Sequence, residues 1–306
     1  MKLSLDFAFE GFRIVRHRPS VVLFWGIVML VGNALAILLL QSLSGNALQQ
    51  LSSVGQATPP SEVFALMAKL LPGYAAMIPI SIVMSAVLWC AVFRIVLDGS
   101  NASFGALRFG ADELRFCAVV LLFYIIVFFV YIGVVFVGAI VIGILSVAFS
   151  AISPLLGGLV AFLAIIGVIV GFIWIVGRLS LALPQSFAQK RIDMFGGWGL
   201  AKGNSMQLMV GFVVGIIMAL LVCVLCFGIF VFGLILANHG DMNAMSQLMV
   251  ILRNGTNIFS HPSSIAYLCF WNLILSPLML AIFIGMPAAA YKTLAGATKG
   301  TVAQLF

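Results

Sequence analysis

An all-α polytopic membrane fold with six transmembrane helices is predicted by three observations: an apolar excess, six apolar stretches of spanning length, and a one-sided distribution of Lys and Arg. Apolar residues make up 64% of the chain and charged residues 8%, against roughly 45–50% and 25% in soluble domains. Crossing the hydrocarbon takes about 20 apolar residues as helix, because every backbone N–H must be bonded within its own segment.

The spans fall at about 19–41, 74–97, 116–146, 155–178, 206–237 and 265–291. The first follows a basic, amphipathic opening. Its apolar run after Pro19 exceeds the roughly 7–15 residues of a signal-peptide core, so it is read as an uncleaved span. The third and fourth lie in an uncharged run from Cys117 that is divided by Ser150, Ser153, Pro154, Gly157 and Gly158. Proline cannot donate to a continuing helix and disfavours one just upstream, so a tight hairpin is expected there. With six spans, all of the 15 Lys and Arg residues except Lys69 and Arg253 fall on the side of the termini. Positive loops stay cytoplasmic, which places both termini inside.

Two larger loops are left on the other side. Thr58–Glu62 reads as a turn and helix start, after which Val63, Phe64, Leu66, Met67, Leu70 and Leu71 predict a short helix at the interface. Met242, Met245, Leu248, Met249 and Leu252 predict a second one, ended by Asn254 and Gly255. These helices either cap the outer ends of the spans or gate a path between them.

A similar segment precedes each odd span: Phe9–Arg16, Phe104–Ala111 and Phe195–Lys202. Leu5, Phe9 and Phe12 oppose Asp6, Glu10, Arg13 and His17 on one helix; Phe104, Leu107, Ala111 and Leu114 oppose Arg108, Asp112 and Arg115 on another. Such helices should lie in the membrane plane. The third segment is glycine-rich, with Trp198 as an interface anchor. Each unit is then one cytoplasmic interfacial helix plus one transmembrane hairpin, repeated three times in a single domain of residues 1–306. Even spans end on Trp89 before Arg94 and Trp174 before Arg178. Either these residues anchor the helix ends, or Arg94, Arg108, Arg115, Arg178 and Lys190 contact anionic lipid headgroups.

Little else carries chemistry. All five cysteines lie in spans, where lipid surroundings disfavour the reactive thiolate. Cys223 and Cys226 form C-x-x-C without a second pair or a flanking His, which reads as packing. His239, Asp241 and His261 are solvated loop residues or, less simply, a metal site; His17 is on the opposite side. No G-x-S-x-G, H-E-x-x-H or G-x-x-x-x-G-K-[ST] motif occurs. The loops have no room for a catalytic domain, so no enzyme activity, cofactor or metal is expected. No acid sits in the middle of a span, which disfavours a proton-coupled carrier. Asn33, Asn272, Pro79, Pro277 and Pro287 either bond and kink neighbouring helices or mark broken helices beside a solute path.

The run Trp174-Ile-Val-Gly-Arg178-Leu-Ser-Leu-Ala-Leu-Pro184, followed by Gly197-Trp198-Gly-Leu-Ala-Lys202-Gly203-Asn204, resembles bacterial six-span proteins grouped with the membrane domain of glycerophosphoryl diester phosphodiesterases and related inner-membrane families. Leu107–Arg115 is similar to a segment recurring in proteobacterial membrane proteins. The resemblance implies a multi-pass protein of the bacterial inner membrane. Phosphodiesterase activity does not carry over, because in that family it belongs to a separate soluble domain with its own His, Glu and metal ligands. The expected function is non-enzymatic, acting through anionic inner-leaflet lipids, a membrane-protein partner or a second copy of the chain, with no nucleic acid. The alternative is a permease-like protein or transporter subunit for a neutral or lipidic solute.

Overall fold

Four of the long helical segments begin on a proline at the first helical position, where the missing N–H has no intrahelical partner to lose. The computed structural model describes residues 3–55, 58–99, 103–239 and 261–303, together with Ser246, Met249 and Phe259; every regular element among them is helical. A 3₁₀ turn at Leu5–Phe9 leads into α1 (Glu10–His17), then α2 (Pro19–Ser44), α3 (Ala47–Ser52) and α4 (Pro60–Phe93). α4 runs on through a π-helical stretch, Arg94–Asp98, that stops at Gly99 with φ +63°. After a 3₁₀ turn at Ser103–Ala106 come α5 (Ala111–Ser150), α6 (Pro154–Ser180), α7 (Ala182–Ala188), α8 (Gly196–Leu200) and α9 (Ser205–Ala237). The last span is α10 (Pro262–Cys269), a second π stretch (Phe270–Leu275) and α11 (Ser276–Ala303). Six of these segments are long and apolar enough to cross a membrane.

The helices meet unequally. Of its most apolar window, the last span buries 67%, α5 only 6% and the α6 span none. The last span packs against α1, α2, α4 and α9, while α5 and α6 pack mainly along each other. Apolar side chains gain nothing by leaving lipid for one another, so close association relies on small residues that let backbones approach. Those residues line α11: Ala281, Ala288 and Ala290 are fully buried. Gly11 of α1 sits so close that a Cβ there would lie 2.4 Å from Ile282 Cα. One added at Gly26 of α2 would lie 2.8 Å from Leu273 O.

The break between the third and fourth spans falls at Ala151–Ser153, and Pro154 opens α6. Other boundaries differ from expectation. The segment Val63–Leu71 is helical, but it forms the first turns of α4 instead of a separate surface helix. Pro72 and Pro79 leave α4 continuous; Leu66 and Leu70 are buried, and α3 packs on this extension. The expected helix over Phe104–Leu114 is interrupted: residues 107–110 are irregular, because Gly105 (φ +68°) and Ala106 (φ +56°) take left-handed conformations. α1 is helical, yet it and the turn before it bury Phe7, Gly11 and Ile14, leaving Leu5 and Phe9 exposed. Pro287 lies inside an unbroken α11. Pro277 lies two residues past the π stretch, and its ring and missing N–H both act on the Leu273 carbonyl, which accounts for the widened turn at that point. The expected outer helix around Met242–Leu252 lies largely outside the described residues, as does Asp241.

Gly11→Ala should lower stability by about 1–3 kcal/mol through overpacking against Ile282. Gly133→Ala meets nothing within 4 Å and should leave stability unchanged or raise it slightly. Thermal unfolding of the two variants in the same detergent would show the difference.

Candidate functional site

The starts of α2, α5 and α9 and the ends of α4, α6 and α11 come together at one end of the bundle, and polar contacts tie them. Trp25 Nε1 donates to Gly105 O at 2.9 Å, and Arg94 Nη1 donates to Ala106 O at 2.9 Å. Leu3 N donates to Asn204 Oδ1 at 3.2 Å, and Lys292 Nζ donates to Val96 O. The loop that departs from helix at Gly105 is therefore fixed by side chains from α2 and α4.

Arg94 also forms an ion pair with Glu113, which is only 2% exposed. Glu113 lies in the first turn of α5, where the helix dipole favours an anion. Neighbouring Asp112 accepts from Arg115 Nη2 at 2.9 Å and lies 3.9 Å from Lys190 Nζ. Those two pairs are partly solvated and contribute little; the Arg94–Glu113 pair is desolvated, so removing one partner strands a buried charge.

A second cluster surrounds Arg178, at the end of α6. Its guanidinium carbon lies 4.9 Å from the Trp174 ring centroid and 4.4 Å from that of Trp198. The indoles meet at 80° with centroids 5.9 Å apart, forming a corner. Trp174 is supplied one helical turn earlier on α6. Trp198 arrives on α8, which approaches so closely that a Cβ on Gly197 would lie 2.7 Å from Ala182 N. The connecting turn is organised by Asp193, which accepts from Gly196 N at 2.8 Å, Gln185 Nε2 at 3.2 Å and Arg191 Nη2 at 3.0 Å.

Of the five basic residues singled out from the sequence, Arg94 and Arg115 thus face protein carboxylates. Arg108 is exposed, Lys190 is exposed while near Asp112, and Arg178 occupies the indole corner. The same end exposes large apolar groups beside its cations: Phe109 is 74% exposed and Phe195 68%, with Leu114 and Ile192 also open. Sequence reading missed Glu113 and Asp193 as organising acids. Asp193 carries a usable signal, since an Asp just before a glycine-rich turn tends to accept from nearby backbone N–H groups; Glu113 carries none, because its partner comes from another helix.

A further polar feature lies midway along the spans. Asn33 Nδ2 donates to Asn272 Oδ1, and Asn272, fully buried on the second π stretch, donates to Leu268 O at 2.9 Å. Beside this pair is a cavity of about 180 Å³ between α2, α4 and α11, lined by Asn33, Ser81, Ser85 and Ser276 among Met29, Met84 and Trp89. π segments are rare and frequently occur at functional sites. Among the described residues no three His, Cys, Asp or Glu side chains gather as a metal site.

Fold and sites together define a multi-pass membrane protein with six candidate transmembrane helices, organised polar contacts at one end and a small uncharged cavity at mid-height. No protein-family model, curated protein or solved structure matches the chain.

Glu113→Gln should cost about 3–5 kcal/mol by leaving Arg94 buried without its counter-charge. The double replacement Arg94→Met with Glu113→Leu should recover much of that loss. Chemical unfolding in detergent of the two singles and the double, compared as a cycle, measures the coupling.

Proposed function

We propose that this is a non-enzymatic protein of the bacterial inner membrane, with both termini cytoplasmic, that works through anionic lipid and membrane-protein partners. The observation that carries the reading is the pairing of exposed cations with exposed apolar groups at one end: Arg108 with Phe109, and Lys190 and Arg191 with Ile192 and Phe195. That combination suits the headgroup level, where apolar groups enter the acyl boundary while each cation gains about 1 kcal/mol at an anionic surface. The positive-inside rule turns this end to the cytoplasm. In this reading the chain is three hairpins, each led by a short cytoplasmic segment. Trp174, Arg178 and Trp198 belong to the motif on which the resemblance to those membrane domains rests. A membrane-protein partner or a second copy of the chain has ample lipid-facing surface on α5 and α6 to use.

A second reading, a permease-like protein for a neutral or lipidic solute, is favoured by the mid-height cavity and the Asn33–Asn272 pair. Its lining bears hydrogen-bonding groups and no charge, which suits a solute that needs no counter-ion.

Full-length protein purified from membranes should carry phosphatidylglycerol enriched over its bulk share, by mass spectrometry. Replacing Arg108, Lys190 and Arg191 together with Gln should reduce that enrichment several-fold; an unchanged lipid profile would sink the lipid reading. For the second reading, proteoliposomes should take up glycerol faster than protein-free vesicles, and Asn33→Leu should abolish the difference. Equal rates throughout would count against a solute path.

A further inference from the structure

Among the described residues Arg178 differs from Arg94 and Arg115, likewise half-buried, in having no protein anion. Among the described residues Arg94 and Arg115 each meet a carboxylate, whereas no ion pair or hydrogen bond reaches Arg178, and its Nε is buried without a partner. A cation near a helix C-terminus can bond the last free carbonyls. Here Ser180 Oγ donates to Gly177 O instead, at 2.8 Å.

The guanidinium is nevertheless held in place. Trp174 and Trp198 bound it on two sides, and neither indole depends on Arg178 for its position: one is fixed by α6, the other by the Gly197 contact and the Asp193 turn. An arginine immobilised before binding loses less freedom when it binds. Its planar fork of N–H donors matches two oxygens of a phosphate group. Both indoles are partly exposed, so the corner opens at the surface, and tryptophans at a span end mark the depth of the lipid headgroups.

We infer that the corner formed by Arg178, Trp174 and Trp198 is a binding site for a single phosphate group, supplied by a membrane phospholipid. This rests on the lipid reading above but adds a defined, one-to-one site to a diffuse surface attraction. Arg178 donates bidentately to two phosphate oxygens, and the indoles flank the glycerol and upper acyl segments.

Delipidated full-length protein in detergent would be titrated with phosphatidylglycerol, and separately with inorganic phosphate, reading bound adducts by native mass spectrometry and binding by tryptophan fluorescence. Wild-type protein should bind one phosphatidylglycerol, and Arg178→Gln should weaken it about tenfold or more through loss of a bidentate charged contact. Arg178→Lys keeps the charge and loses the fork, so it should also bind several-fold more weakly, which covers the case in which the Gln variant fails to fold. The double replacement of Arg108 and Lys190 with Gln, which leaves Arg191 on Asp193, should leave this one-lipid binding unchanged while lowering bulk enrichment, separating the two ideas. Arg178-dependent binding of inorganic phosphate without phosphatidylglycerol would keep the phosphate site and overturn the lipid as its source. Equal phosphatidylglycerol binding by wild type and both Arg178 variants would overturn the site even if bulk enrichment persists.

Discussion

The close approach of α1 and α2 to the last span is the contact on which the arrangement of the other helices depends. In a bilayer an apolar side chain gains little by leaving lipid for another helix, so contact must come from backbones brought near enough for dispersion and polar contacts to accumulate. Gly11 against Ile282 and Gly26 against Leu273 provide that approach. They make the last span the interior helix, and α4 and α9 then pack around it. The peripheral place of α5 and α6 follows: they are apolar on all sides and lack comparable small-residue contacts with the centre.

Polar groups are spent differently at the two levels of the molecule. At the basic end they fasten segments. Arg94 alone joins the end of α4 to the loop carbonyl of Ala106 and to α5 through Glu113. At mid-height they are few and neutral, and the Asn33–Asn272 bond links α2 to the wide turn preceding α11. A buried amide pair satisfies itself in hydrocarbon without counter-ions, which is why the centre tolerates it where a carboxylate would need a cation.

Much of this was legible in the residues. The apolar runs gave the spans, and Pro154 marked the turn after α5 because a proline both ends and begins helices. Asn33 and Asn272 stood out singly as polar groups in apolar stretches; that they bond each other, far apart in the chain, depends on packing that no local pattern encodes. Val63–Leu71 was recognisable as helix but not as part of α4, since Pro72 looks like a boundary when the contacts of Leu66 and Leu70 are unknown. The amphipathic pattern over Phe104–Leu114 was genuine in spacing, yet the left-handed backbone at Gly105 and Ala106, held by Trp25 and Arg94, overrides it. Nothing local to Glu113 marks it as buried; its partner Arg94 arrives from the end of α4.

The length of α5 has a consequence for the bilayer itself. Forty residues of helix rise roughly 60 Å, about twice the thickness of a hydrocarbon core. Apolar side chains continue to its far end and into the turn, where Val147, Ile152 and Leu155 are largely exposed. Such a mismatch is relieved by steep tilt or by thickening the surrounding lipid, each costing fractions of a kcal/mol per Å. The α5–α6 pair is therefore the part of the molecule whose length most exceeds what a straight crossing of the hydrocarbon needs.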